Sequence, residues 1–179
     1  MNTFIALELP EHVKNALCAV QAQLPSHVEK VDRAKLHLTL RFVGPVSDAQ
    51  QEAICEGLRQ INFTPFRLQL YAVGKFSNLN KVVWVNVDGQ IEELRDLARW
   101  VGAIAKGAKS NFYPHITLGR TKRQIDVRGF DVEPVEFIAD KVQYIKADKS
   151  EGVTKYVVLA VIDGTGKATW NEVERRVKA

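Results

Sequence analysis

Residues 36–43 read LHLTLRFV and residues 114–118 read PHITL. Strict alternation of apolar and polar residues turns successive side chains to opposite faces and marks a strand with one buried face. In the first stretch Leu36, Leu38, Leu40 and Phe42 share one face, and His37, Thr39 and Arg41 share the other. In the second, Ile116 and Leu118 oppose His115 and Thr117. The chain must therefore build sheet around two strands that each present an imidazole and a hydroxyl from an apolar backing. With four His, eight Thr and 46% apolar residues, one His-apolar-Thr-apolar match arises by chance at roughly 0.04 per chain and two at below roughly 0.001.

The rest of the pattern supplies the other elements. Residues 3–9 read as a buried strand ended by Pro10, and Val13, Leu17, Val20 and Leu24 recur at helical spacing before Pro25. The run from Ser47 to Gln50 is a capping box, and Ala53, Ile54, Leu58 and Ile61 form the inner face of a second helix. Residues 66–73 and 82–87 read as a hairpin. Asp88 is placed to cap a third helix, with Ile91, Leu94, Leu97, Val101 and Ile104 inward and Gly107 just past its end. Residues 114–120 form a strand. Residues 135–147 and 155–161 form a last strand pair around the turn at 148–152, and the residues from Trp170 onward read as a short helix or a frayed end. Strands outnumber helices and neighbours are hairpin-linked, which predicts an α+β fold with mostly antiparallel sheets. The single internal repeat, one His-Thr motif in each half, predicts two lobes related by a rough two-fold. No linker divides the 179 residues, which suits one domain over 1–179 made of two intertwined lobes.

A net charge of +4 permits an anionic partner but lacks the dense basic runs of a non-specific polynucleotide binder. Cys18 and Cys55 stand outside any C-x-x-C pair and read as thiols kept reduced. Glu8 and Pro10 interrupt the N-terminal apolar run, so no secretory signal is read there, and no run approaches membrane-spanning length. A cytoplasmic location is the expectation, with nothing calling for an obligate assembly, so a monomer.

Two histidines and two hydroxyls in one cleft suit in-line displacement at phosphorus. Such a reaction needs a base on the attacking oxygen and an acid on the leaving oxygen, and imidazole serves as either near neutrality. Hydroxyl donors bind the non-bridging oxygens as charge builds on them. Neither motif has an adjacent carboxylate, so no metal site and no cofactor is expected. His12 and His27 lie near helix ends, outside any such frame, and read as surface residues.

The paired motifs, KLHLTLRFVG and FYPHITLGR, together with FIALELP at the N-terminus and Gly74-Lys75-Phe76 followed by VVWV, resemble the 2H phosphoesterases, in particular the bacterial and archaeal RNA 2′,3′-cyclic phosphodiesterases once called 2′-5′ RNA ligases. The resemblance implies a bilobal α+β fold with a pseudo-two-fold axis, a central cleft and helices outside. It implies metal-independent hydrolysis of an RNA or nucleotide 2′,3′-cyclic phosphate to a 2′-phosphate. It makes His37 the proton donor to O3′ and His115 the proton acceptor from water, with Thr39, Thr117 and Arg120 on the phosphate. Strand parity points Arg120 away from His115, so a bulge or strand end at Gly119 must turn it inward. Three further residues are candidates for substrate contact. Arg41 shares the His37 face by parity. Phe112 is placed either to stack on a base or to pack in the core. Lys75 sits in a loop. Two other readings stand beside hydrolysis: a ligase or transesterase in which a 5′-hydroxyl replaces water at the same site, and a non-catalytic RNA-end binder, which would not need both histidines.

Overall fold

The computed structural model describes residues 2–76, 81–105, 112–149, 154–164 and 168–170. Among the described residues ten strands and three α-helices follow one another: β1 (Asn2–Leu7), α1 (Glu11–Gln23), β2 (Glu29–Lys30), β3 (Leu38–Pro45), α2 (Asp48–Leu58), β4 (Phe66–Lys75), β5 (Lys81–Gly89), α3 (Ile91–Ala105), β6 (His115–Thr121), β7 (Glu136–Ala139), β8 (Lys141–Asp148), β9 (Lys155–Asp163) and β10 (Ala168–Trp170). A short 3-10 turn over Arg33–Lys35 leads into β3. The fold is α+β, as the alternation predicts, and every strand pairing among the described residues is antiparallel.

The sheet order is β10-β9-β8-β1-β3-β6-β5-β4-β7, with β2 added on β6. Two half-sheets are visible in it, β10-β9-β8-β1-β3 and β6-β5-β4-β7. They are continuous through one residue pair, Leu38 of β3 against Ile116 of β6. The two strands carrying the His-Thr motifs are thus the seam of the molecule. Leu38 and Ile116 are fully buried there, while their polar neighbours emerge on the other face.

Local sequence accounts for the helices. Ser47 Oγ accepts the Gln50 N–H and Gln50 Oε1 accepts the Ser47 N–H, a complete capping box. Val13, Leu17 and Val20 of α1 and Leu94, Leu97 and Val101 of α3 are buried in one core. The helix α3 packs on β3 and β4, and α1 lies against β6. Buried Gln21 of α1 donates to the carbonyls of Leu118 and Val31, each at 2.8 Å, and so clamps β6 from behind.

Several expectations are corrected. Residues 135–147 are not one strand. They are β7, at the outer edge of one half-sheet beside β4, and β8, in the middle of the other beside β1, with Asp140 between them. The buried positions shift from odd (Phe137, Ala139) to even (Val142, Tyr144) across that break, a change of parity a single flat strand cannot carry. Asp88 lies inside β5; the helix begins after Gln90, whose carbonyl accepts the Leu94 N–H. Ala53 is exposed, and α2 ends before Ile61. Two-residue β2 has too little pattern to be read from sequence. Gly107, most of the turn at 148–152 and the C-terminal residues past Trp170 lie outside the described residues; Trp170 itself ends β10. Cys18 and Cys55 are half-buried and not in a disulfide.

Candidate active site

A groove of about 830 Å³ opens over the seam, within the range of small-ligand sites. It is lined by His37, Thr39, His115, Thr117 and Arg120, and also by Phe4, Phe42, Phe76, Phe112, Tyr113 and Tyr156. Because β3 and β6 run antiparallel through Leu38 and Ile116, counting outward sets His37 beside Thr117 and Thr39 beside His115. The two histidines are diagonal neighbours, a spacing of roughly 7–8 Å between Cα atoms in such a ladder.

Both imidazoles are held in the same way. His37 Nδ1 lies 2.7 Å from the Lys35 carbonyl, and His115 Nδ1 lies 2.7 Å from the Tyr113 carbonyl. A carbonyl only accepts, so each Nδ1 carries the hydrogen, and each Nε2 is left to act. His37 Nε2 meets Thr39 Oγ1 at 3.0 Å. Each ring sits among aromatic side chains. His37 stacks on Phe4 with centroids 4.7 Å apart, and Tyr156 stands edge-on at 5.8 Å. His115 meets the edge of Phe76 at 5.1 Å and lies within 6.3 Å of Trp84 and Tyr113. The Trp84 ring occupies the space over Gly74, where a Cβ would come within 2.1 Å of it.

These surroundings disfavour a charged ring. Burial lowers the His37 pKa, against the pull of the Lys35 carbonyl, and the His115 charge lowers it further. Burial likewise lowers that of His115, against the Tyr113 carbonyl, and the Arg120 guanidinium adds to the depression. A stability consequence follows. Unfolded imidazole titrates near 6.5, so between that value and the lower folded values the unfolded chain holds more protons than the folded one, and falling pH destabilises. The stabilisation is complete above about pH 7 and is lost as pH falls toward the folded values. Denaturant titrations at pH 7.5 and 5.5 are expected to show the loss, and His37→Asn to flatten it. The exposed carboxylates Glu11 and Asp126 are also lowered, by Lys14 with Arg33 and by Arg128; their loss falls in the separate carboxylate range, below about pH 4.

Two bulges decide which side chains reach the groove. On β1, Ile5 pairs with Arg41 and Ala6 with Thr39, so Leu40 is an extra residue in β3. On β5, Val83 pairs with Gly119 and Trp84 with Thr117, so Leu118 is an extra residue in β6. In each motif the fourth residue, the apolar one after threonine, is the bulge, and parity inverts beyond it. Arg120 is thereby brought to the groove face, beside His115. Its charge also acts on the Tyr156 hydroxyl, whose pKa is raised by burial and drawn back by Arg120. The same inversion corrects the reading of Arg41. It does not share the His37 face in the structure; it lines a separate depression with Arg95 and Arg99 of α3. Phe42 takes the groove position that Arg120 holds in the other half. At these two matched positions the groove therefore carries a cation in one half and, in the other, an aromatic ring that is 59% exposed.

Lys75 also lies outside the groove. Its Nζ donates to the Ile125 carbonyl, in a depression with Asp126 and Arg128. Phe112 does line the groove and packs partly against the core as well. His12 is exposed and bonds the Glu136 carbonyl, whereas His27 is half-buried rather than a surface residue. Among the described residues no group of three His, Cys, Asp or Glu side chains is arranged to hold a metal ion. Sequence reasoning missed Phe4, Phe42, Tyr113 and Tyr156 as groove residues. Tyr113 had a signal, its place just before Pro114-His115; Phe4 and Tyr156 reach His37 only through the pairing of β1 with β3 and with β8, and of β8 with β9.

The fold recurs in known proteins. The crystal structure of Escherichia coli LigT in apo form superposes with a TM-score of 0.80 at 25% identity, covering 90% of this chain and 96% of that one. An RNA 2′,3′-cyclic phosphodiesterase of Methanocaldococcus jannaschii is 24% identical over 160 residues, spanning 84% of this chain and 91% of its own. One from Archaeoglobus fulgidus is 29% identical over 135 residues, spanning 69% and 74%. The model of the 2′-5′ RNA ligase superfamily matches residues 9–151, a span that holds both His-Thr motifs, both bulges and the seam between them, and the chain belongs to that superfamily.

Proposed function

We propose that this protein hydrolyses RNA 2′,3′-cyclic phosphate ends to 2′-phosphate ends without a metal, the two lobes acting as one domain over 1–179. One observation carries the reading: two imidazoles, each with Nδ1 tied to a carbonyl two residues earlier, offer Nε2 to one groove from neighbouring strands. His115 Nε2 has no partner among the described residues, which suits a base with its lone pair ready for water. Water attacks phosphorus, His115 takes its proton, the P–O3′ bond breaks, and His37 protonates O3′. Thr39, Thr117 and Arg120 hold the non-bridging oxygens. The bound anionic phosphate supplies the charge that raises both depressed histidines toward the range where one of them carries a proton. The naming of the archaeal relatives agrees with this reaction.

A transesterification joining RNA ends by a 2′-5′ bond uses the same atoms, a 5′-hydroxyl replacing water, and the superfamily's description keeps it as the second reading. A non-catalytic end-binder has no use for two matched imidazoles. The protein is proposed to act as a cytoplasmic monomer; no helix among the described residues is long and apolar enough to cross a membrane.

Product analysis on a short RNA bearing a 2′,3′-cyclic end tests the reading, with and without chelator and with and without a 5′-hydroxyl oligonucleotide. The expected product is the 2′-phosphate, at a rate the chelator leaves unchanged. A 3′-phosphate product, loss of turnover on chelation, or no turnover would each overturn the proposal, and a ligated product as the major species would favour the second reading.

A further inference from the structure

The depression around Arg41 adjoins the catalytic groove: Leu40 and Phe112 line both. It measures about 590 Å³, and its described charged lining is Arg41, Arg95 and Arg99 against the single carboxylate Glu92. The arginines form a row. Arg95 and Arg99 are four residues apart and so share one face of α3. The Arg41 guanidinium continues the row beside Gly102, 3.8 Å from where a Cβ would stand there. Arg95 and Arg99 pair with Glu92 and Asp96, each a turn earlier on the same exposed helix surface. Exposed pairs of this kind are weak, and a phosphate competes with them readily.

We propose that this row binds the backbone phosphates of the nucleotides preceding the cyclic end, so that the preferred substrate is a single-stranded oligoribonucleotide and not a cyclic mononucleotide. The strand leaves the groove over the Phe112 rim, where a base stacks on the ring, and its phosphodiesters meet Arg41, Arg95 and Arg99. The bulge at Leu40 is what makes this possible, because it turns Arg41 from the catalytic face to the helix side.

This rests on the proposed reaction, and the test separates the two. Steady-state kcat/KM is measured for 2′,3′-cyclic AMP and for a hexaribonucleotide ending in the same cyclic nucleotide. Arg95→Ala/Arg99→Ala is expected to lose about tenfold on the hexamer and to stay within about twofold on the mononucleotide. The slope of log(kcat/KM) against log[salt] for the hexamer should shrink by about 1.4, near 0.7 per phosphate contact on a single strand. Arg67→Ala/Arg128→Ala, which removes the same two charges outside both depressions, controls for net charge. Equal losses on both substrates, or a hexamer loss no larger than that of the control, would overturn the track. If the wild type turns over neither substrate, the reaction is wrong, and anisotropy of a fluorescein-labelled hexamer ending in a 2′-phosphate then decides the track with the same variants. Tenfold weaker binding by the double variant supports the track, and unchanged binding overturns it. Displacement of the hexamer by a polyglutamate peptide of equal charge would mark a general anion surface and overturn the RNA assignment.

Discussion

His37→Ala and His115→Ala are each expected to lower kcat on a 2′,3′-cyclic phosphate by about 10²–10⁴-fold, the worth of one positioned acid or base, while the chain stays folded. The imidazoles stand on the groove side of the seam, and the residues that close the core there, Leu38 and Ile116, are untouched. Removing both should cost little more than removing one, because the two act as a unit in a single displacement. The pH profiles distinguish the roles. In the wild type the acidic limb reports deprotonation of the base and the basic limb the loss of the acid proton. His115→Ala should lose the acidic limb, and His37→Ala the basic one. Since burial lowers both histidines in the free protein, the maximum of kcat/KM should fall on the acid side of the ordinary imidazole value. The two rings repel each other's protons, so the limbs belong to the pair as apparent values. Substantial activity in either single variant would remove the two-histidine mechanism, and residual limbs in the opposite assignment would exchange the roles.

Gly119→Val is expected to damage stability and turnover together. A Cβ at this position would stand 2.7 Å from the Glu29 carbonyl oxygen and 2.7 Å from a Val28 methyl. The carbonyl belongs to β2, which pairs through Glu29 with Arg120 and through Lys30 with Gly119, so relief requires β2 to lift off β6. Overpacking of this kind costs about 1–3 kcal/mol, measurable by denaturant titration. Arg120, the next residue, then leaves its place beside His115. The loss of one charge-stabilising donor predicts a fall in kcat of about 10²-fold. Arg120→Ala separates the two effects, since it should reproduce the kinetic loss without the loss of stability. An Arg120→Ala protein with wild-type kcat would show that Arg120 does not act on the reaction.

Much of the fold was legible because its signals are local. The capping box at Ser47 and the spacing of Val13, Leu17 and Val20 each depend on residues within one or two turns, and the structure shows each of them in place. The errors cluster where pairing decides. Residues 135–147 look like one strand because β-rich residues run through them, yet they divide between the two half-sheets. Arg41 looks like a groove residue because parity was counted through Leu40, which β1 does not pair. The same count fails for Arg120: the bulge or strand end expected at Gly119 lies one residue earlier, at Leu118, because Gly119 is itself paired with Val83.

The amino-acid order by itself determined that two strands each carry an imidazole and a hydroxyl on one face, since side-chain direction along a strand is set by the chain's own pleat. Only the tertiary structure decided what those groups face. Bulges exist in the register between strands and not within one, so the sides taken by Arg41, Phe42 and Arg120 had to await the pairing of β3 with β1 and of β6 with β5. The rings that crowd the histidines, Phe4 and Tyr156 on one side and Phe76 and Trp84 on the other, come from distant segments that meet only when the sheet is assembled.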